Sequence, residues 1–226
     1  MQIVILAGGL GTRLKPLTDD IPKPMVMIKG KPFIDYLVTF LKNQGFCNFL
    51  FLTGYKGDIV KDYFKDGSKI GIYAHYSHES APLGTGGAIK NAKNLLKDEF
   101  ILLNGDTFLP IEYLNLFEYF MSNHRKGVMA LTKSGNGNVR LGSKNEVTAY
   151  DKKNNAMDYI DCGAQVFRKN IVELIPENKF VSLENDIFPM LIQKNDFLGF
   201  ETNEPYYDIG TFEGIKKFES VIGKYF

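Results

Sequence analysis

A three-layer α/β fold around a mostly parallel sheet is what this chain predicts, on three observations. Short apolar runs alternate with segments of helical periodicity through the first half, the order that builds parallel sheets. The runs at 48–53 and 100–104 are apolar through their centres, as strands covered on both faces are. Glycines and acids gather just after such runs, at Gly8 and Asp106, where ligands of open α/β sheets bind.

Taken in order, residues 2–7 read as a strand running into a glycine loop. A helix is expected over 33–44, where Phe33, Leu37, Phe40 and Leu41 recur at helical spacing and Gly45 stops it. Asn48–Thr53 reads as a buried strand and 57–65 as a helix. A strand is expected over 70–76, then a helix over 85–96 with small residues at its start. Residues 100–106 form a strand ending in an acid, and 111–123 a helix. The second half is less regular. Strands are expected at 128–132, 139–141, 147–150 and 158–167, separated by turns such as 134–138. A helix begins near Ser182, whose hydroxyl can cap it, and a last helix covers 212–224. No linker, internal repeat or low-complexity run divides the chain, so 1–226 is read as one domain.

Bulk properties narrow the function. The 226 residues are 44% apolar and 23% charged, ordinary for a globular protein with a large core. A net charge of +1 gives no basic surface, so nucleic acid is not expected as a partner. Cys47 and Cys162 have no metal-like spacing and are expected in or near the core of a reduced, cytoplasmic protein. No leader is read at the N-terminus, and no apolar run reaches about 18 residues, so no membrane span is expected. A homodimer is one option for the assembly.

The first strand leads into Gly8-G-L-Gly11-T-Arg13, and Lys23 follows between Pro22 and Pro24. Glycines let backbone N–H groups approach phosphate. Arg13 brings a planar fork of donors, and Lys23 a compact charge on a restricted backbone. The dinucleotide fingerprint fails, because Leu14 stands where its third glycine belongs. A Walker A loop fails for want of Gly-Lys-Ser/Thr after Gly11. The alternative is a plain strand-to-helix turn.

The string G-G-L-G-T-R-L-x-P-L-T-x-x-x-P-K-P is similar to the signature of the sugar-1-phosphate nucleotidylyltransferases, or NDP-sugar pyrophosphorylases, and the similarity extends over nearly the whole chain. It implies a Rossmann-like fold with a small β-rich sugar-binding insertion. Leu6, Ala7, Gly8, Gly9, Gly11 and Thr12 would meet the nucleotide, and Arg13 and Lys23 would be catalytic. No hexapeptide repeat follows, so the β-helical domain of some members is not expected.

Three further groups carry the resemblance. In Glu79-S-A-P-L-Gly84-Thr85-Gly86-Gly87-A, glycines before a helix leave room for a flat ring on the backbone, or simply begin a helix. In the resembled family this stretch contacts the base, and L-G-T-G-G-A looks most like the guanylyltransferase branch. Glu79 could accept from the guanine N1–H and amine. Asp106 in Asn104-G-Asp106-T and Asp208 in Y-Y-Asp208-I-G match the family's metal acids, which implies Mg²⁺ beside a triphosphate. Asp106-T-F is not a D-x-D triplet, which argues against a glycosyltransferase of similar architecture. The sugar-phosphate residues would be Asn104, Lys152, Gly163 and Glu184. Here the chain departs from the family: Asp151 and Asp161 stand for Glu and Asn, and Cys162 for Ala. Lys153 could serve in place of Lys152, or 151–155 could be a solvated turn. S-L-E-x-D-I-F resembles the heptose-phosphate guanylyltransferases. His75 and His78 read as loop or surface residues before metal ligands.

No activated serine or cysteine is evident, so no covalent step is expected. The resemblance implies GTP and a sugar 1-phosphate as partners. An anionic phosphate oxygen needs no general base, so positioning and charge neutralisation carry the reaction. The favoured sugar is D-glycero-α-D-manno-heptose 1-phosphate. The alternatives are mannose 1-phosphate, another NTP, or a silent nucleotide-sugar-binding homologue.

Overall fold

The computed structural model describes residues 1–153 and 156–226. Strand β1 (Gln2–Ala7) lies within a nine-stranded sheet and faces two cores. Ile3, Ile5 and Ala7 point into one apolar cluster, while Val4 and Leu6 meet the other. This period-2 alternation with both faces apolar is what a strand covered on both sides requires. The chain then makes a small ribbon, β2 (Met27–Ile28) and β3 (Lys31–Pro32). Helix α1 (Phe33–Asn43) buries Phe33, Ile34, Leu37, Val38 and Leu41 on one stripe. It stops where Gly45 takes a φ of +89° and donates to the Lys42 carbonyl.

Strand β4 (Asn48–Thr53), helix α2 (Gly57–Phe64), strand β5 (Tyr73–His78), helix α3 (Gly84–Asn91) and strand β6 (Glu99–Asn104) follow. They give the parallel block β5-β4-β1-β6. Three expected boundaries move. Strand β6 ends at Asn104 rather than 106, and Asp106 follows in a tight turn whose Gly105 N–H donates back to the Leu6 carbonyl. Strand β5 starts at residue 73 rather than 70, because Gly67 and Gly71, both at positive φ, enclose a 3₁₀ turn over Ser68–Ile70. Helix α3 ends at Asn91 rather than 96. The buried Gln2 side chain takes the Leu95 carbonyl and the Lys97 N–H, each at 2.9 Å, and draws the chain out of the helix.

After β7 (Thr107–Phe108) and α4 (Tyr113–Ser122), the β-rich second half joins the same sheet. It comprises β8 (Gly127–Gly137), β9 (Val139–Leu141), β10 (Val147–Tyr150) and β11 (Met157–Arg168). Strand β11 runs antiparallel to β6, β8 and β9. The turn expected at 134–138 is mostly strand. Strand β8 continues to Gly137, paired with Met157, and a methyl on Gly137 would lie 2.1 Å from the Tyr159 carbonyl. Of the turn expected over 151–155, residues 154 and 155 lie outside the described residues.

Ser182 does cap a turn, accepting from the Asn185 N–H at 3.2 Å, and Asp186 accepts from the Ser182 N–H at 2.7 Å. That turn, Leu183–Ile187, is a π-turn leading into α5 (Phe188–Gln193). Strand β12 (Phe197–Thr202) lies parallel to β8 and was not expected. Strand β13 (Tyr207–Asp208) pairs with β7, and α6 (Phe212–Tyr225) closes the chain. Helices α1, α2, α4 and α6 pack on one face of the sheet, and α3 and α5 on the other. Cys162 is buried; Cys47 is exposed at the entry to β4, contrary to expectation, since it precedes the buried stretch. Among the described residues no helix is long and apolar enough to cross a membrane.

Candidate active site

A cavity of about 560 Å³ opens over the carboxyl ends of β1, β4 and β6. It is lined by Leu6, Gly8 and Gly9 from the first loop, Lys23 and Pro24, Glu79, Gly84 and Thr85, Asn104 and Asp106, and Lys152 and Glu184. The volume is that of a small-ligand site. The chain has drawn together residues up to 178 positions apart, from Leu6 to Glu184.

One end of the cavity is a charged cluster. Lys23 is buried, and its ammonium contacts Asp106 Oδ2 and lies 3.6 Å from Asp208 Oδ1. The small β7–β13 ribbon sets this geometry, pairing Asp208 with Thr107, while the Ile209 N–H donates to the Asp106 carbonyl at 3.0 Å. Thr107 Oγ1 donates to Asp106 Oδ1 at 3.2 Å, and the Gly210 N–H to Asp208 Oδ1 at 2.6 Å. Both carboxylates are therefore aimed and within reach of one cation. Such a pair of hard oxygen donors fits Mg²⁺, which usually takes one or two carboxylates and completes its shell with phosphate and water.

Gly210 shows how tightly these charges converge. A methyl there would sit 2.8 Å from each of Arg13 Nη2, Asp208 Oδ1 and Lys23 Nζ. The sequence reading did not single it out, although it lies in the Asp208-I-Gly210 string. Gly105 is similar: a methyl would stand 2.4 Å from the Leu6 carbonyl, which accepts the Gly105 N–H.

The opposite reach holds Glu79. One of its oxygens accepts from the Leu83 N–H at 3.2 Å, and burial raises its pKa above the usual carboxylate value. Gly8 and Gly54 make room for it, since methyls there would lie 3.1 and 2.8 Å from Glu79 Oε1. The glycines after it also admit a neighbouring backbone. Methyls on Gly84 and Gly87 would meet the Val181 and Lys179 carbonyls at 2.5 and 2.8 Å, and the N–H groups of Gly86 and Gly87 donate to the Val181 carbonyl. They admit a second backbone, 179–181, against the start of α3. Gly86 is buried beneath it and does not line the cavity.

That docked segment delivers Glu184. Thr85 Oγ1 and Ser182 Oγ each donate to Glu184 Oε2 at 2.8 Å, and Lys152 Nζ donates to Oε1 at 3.2 Å. Burial raises the Glu184 pKa, but Lys152 and these hydrogen bonds outweigh it and hold the carboxyl below the usual range. Lys152, rather than Lys153, makes this pairing, although both are exposed. Beneath lies Asp161, which accepts from Gly163 N–H, Gln165 Nε2 and Tyr150 Oη, and burial pushes its carboxyl up to about 6. Gly163, at φ +71°, sits against the Asn104 amide.

Some expected residues stand outside the cavity wall, Asp208 and Gly163 among them. The Ala7 side chain is buried in the core. Gly11 shapes the loop at φ +62°, its carbonyl accepting from Thr18 Oγ1, and Thr12 and Arg13 follow in an exposed 3₁₀ turn. Tyr55, His78 and Phe180 line the cavity without having been expected there. His78 comes from a strand end and Phe180 from a segment with no periodic signal.

A family model described as nucleotidyl transferase matches residues 2–223. A D-glycero-alpha-D-manno-heptose 1-phosphate guanylyltransferase of Campylobacter jejuni is 38% identical over 200 residues, 86% of each chain. A mannose-1-phosphate guanylyltransferase of Mycobacterium tuberculosis is 34% identical over 220 residues, covering 93% of this chain and 61% of that longer protein. Among solved structures, HddC from Yersinia pseudotuberculosis complexed with GMP-PN superposes with a TM-score of 0.81 at 33% identity, covering 96% of both chains.

Proposed function

This chain belongs to the nucleotidyl transferase family, and we propose that it transfers GMP from GTP to a sugar 1-phosphate. The observation that carries the reading is the Lys23–Asp106–Asp208 cluster at one end of a cavity whose other walls carry Glu79 and the Lys152–Glu184 pair. The relatives named as heptose and mannose guanylyltransferases support guanine and a manno-configured sugar, with the heptose phosphate favoured.

The chemistry follows from charge. An oxygen of the sugar phosphate attacks the α-phosphorus in line. The bond from that phosphorus to the β-bridging oxygen breaks, and pyrophosphate leaves with the electron pair. The nucleophile is already an anion, so what must be overcome is like-charge repulsion. Lys23 and Arg13 would neutralise the triphosphate, and Lys152 the sugar phosphate. Asp106 and Asp208 would hold Mg²⁺, which supplies Lewis-acid charge neutralisation when bound. Glu79 would accept from the guanine N1–H and amine, groups that adenine and the pyrimidines do not present together. A cytoplasmic setting is part of the same proposal.

The test is pyrophosphate release from four NTPs crossed with heptose, mannose and glucose 1-phosphates. The reading expects the highest kcat/KM with GTP and a manno-configured sugar, and loss of turnover in EDTA. A higher kcat/KM with UTP, CTP or dTTP, or with glucose 1-phosphate, overturns it.

A further inference from the structure

The most exposed phenylalanine among the described residues stands on the rim of this cavity. Phe180 leaves 69% of its surface in water, and no other ring pairs with it among the described residues. Its exposure is built in. The Val181 N–H donates to the Leu83 carbonyl at 2.8 Å, and the Val181 carbonyl accepts from Gly86 and Gly87 at 2.8 and 3.2 Å. Val181 itself is buried, while the Phe180 side chain before it faces out. The tip of the ring lies over Gly84, where a methyl would be 3.2 Å from Phe180 Cζ.

The apolar ring thus borders the residues assigned to the base. Gly84 follows Leu83, whose N–H is held by Glu79. The sugar-phosphate wall is charged, through Lys152 and Glu184. Of the two substrates, the purine is the one with broad flat faces, which aromatic side chains bind by stacking. We propose that Phe180 stacks on the guanine ring of the bound nucleotide. The proposal rests on the guanylyl reading above. It gives the 179–184 segment two roles: Glu184 faces the sugar phosphate and Phe180 covers the base.

The chain contains no tryptophan, so Phe180→Trp places its one indole at the site, to be excited selectively over the twelve tyrosines. Titrating that variant with GDP or GTP should quench its emission, and sugar 1-phosphate alone should not. Phe180→Ala should raise the KM for GTP about tenfold, the loss of one stack, with kcat within about twofold and the sugar KM unchanged. Phe180→Trp should keep the wild-type KM. Quenching by sugar 1-phosphate alone, or a rise confined to the sugar KM, overturns the assignment to the base. If wild-type protein turns over GTP but Phe180→Trp responds to neither substrate, this proposal alone fails. If wild-type protein prefers another NTP, the guanylyl reading fails and takes this proposal with it.

Discussion

At the scale of single residues, Lys23 would compete with a cation held by Asp106 and Asp208. Its ammonium bridges Asp106 and Asp208, and a triphosphate with its own cation would draw it onto phosphate oxygen. Lys23→Ala should therefore lower turnover by roughly 10² or more, as loss of one electrostatic stabiliser does. The same variant should bind Mn²⁺ more tightly than wild type without nucleotide, read by electron paramagnetic resonance. Unchanged turnover together with weaker Mn²⁺ binding would show Lys23 to be structural. Asp161 gives a prediction about pH. Burial lifts its pKa from 3.8 to about 6, so its protonated form favours the folded state. That stability is complete below about pH 4 and is lost as pH rises through 6. In Asp161→Asn the new amide oxygen can keep the bonds from Gly163 and Gln165, and its NH₂ can donate to Tyr150. The variant should gain several degrees of Tm over wild type at pH 7, and less at pH 4. Parallel pH curves for the two proteins would contradict this.

At the scale of elements, the glycines of α3 matter because two backbones meet there. Gly84→Ala combines a positive φ with a methyl 2.5 Å from the Val181 carbonyl. It should cost about 1–3 kcal/mol, several degrees of Tm, and raise the KM for both substrates as 179–184 shifts. Gly9→Ala, with open space around it, should leave Tm within about a degree. Equal Tm values for the two variants would remove this role for Gly84. Strand β1, helix α1 and the apolar body of β6 were legible because periodicity and punctuation are local. The early end of α3 was not, because Gln2, some 90 positions away, sets it. Strand β8 passes through Ser134-Gly-Asn-Gly because β11 pairs with it, which overrides the turn signal. The site was legible where motifs carry side chains into it, at Lys23, Glu79, Asp106 and Glu184. It was hidden where a residue works by its lack of a side chain, as at Gly210, or stands on an irregular segment, as Phe180 does.

At the scale of the whole molecule, one of the two cores ties the Lys23–Asp106–Asp208 cluster to the last helix. Phe218 of α6 is fully buried, with ring centroids 4.9 Å from Phe33, 5.3 Å from Phe108 and 6.3 Å from Tyr207. Phe108 and Tyr207 belong to the ribbon that aims Asp106 and Asp208. Phe218→Ala should cost about 3–5 kcal/mol of stability by denaturant titration, with kcat falling as well. A stable variant with normal kcat would uncouple α6 from the site. The central claim is that the assembled cavity moves GMP from GTP onto a sugar phosphate in one displacement. The measurement that tests it most directly follows two labels, α-³²P-GTP and γ-³²P-GTP, with manno-configured sugar 1-phosphate and Mg²⁺. The account predicts the α label in a GDP-sugar and the γ label in pyrophosphate, each only when the sugar phosphate is present. The α label in free GDP or GMP, or γ-label release without the sugar phosphate, would contradict it.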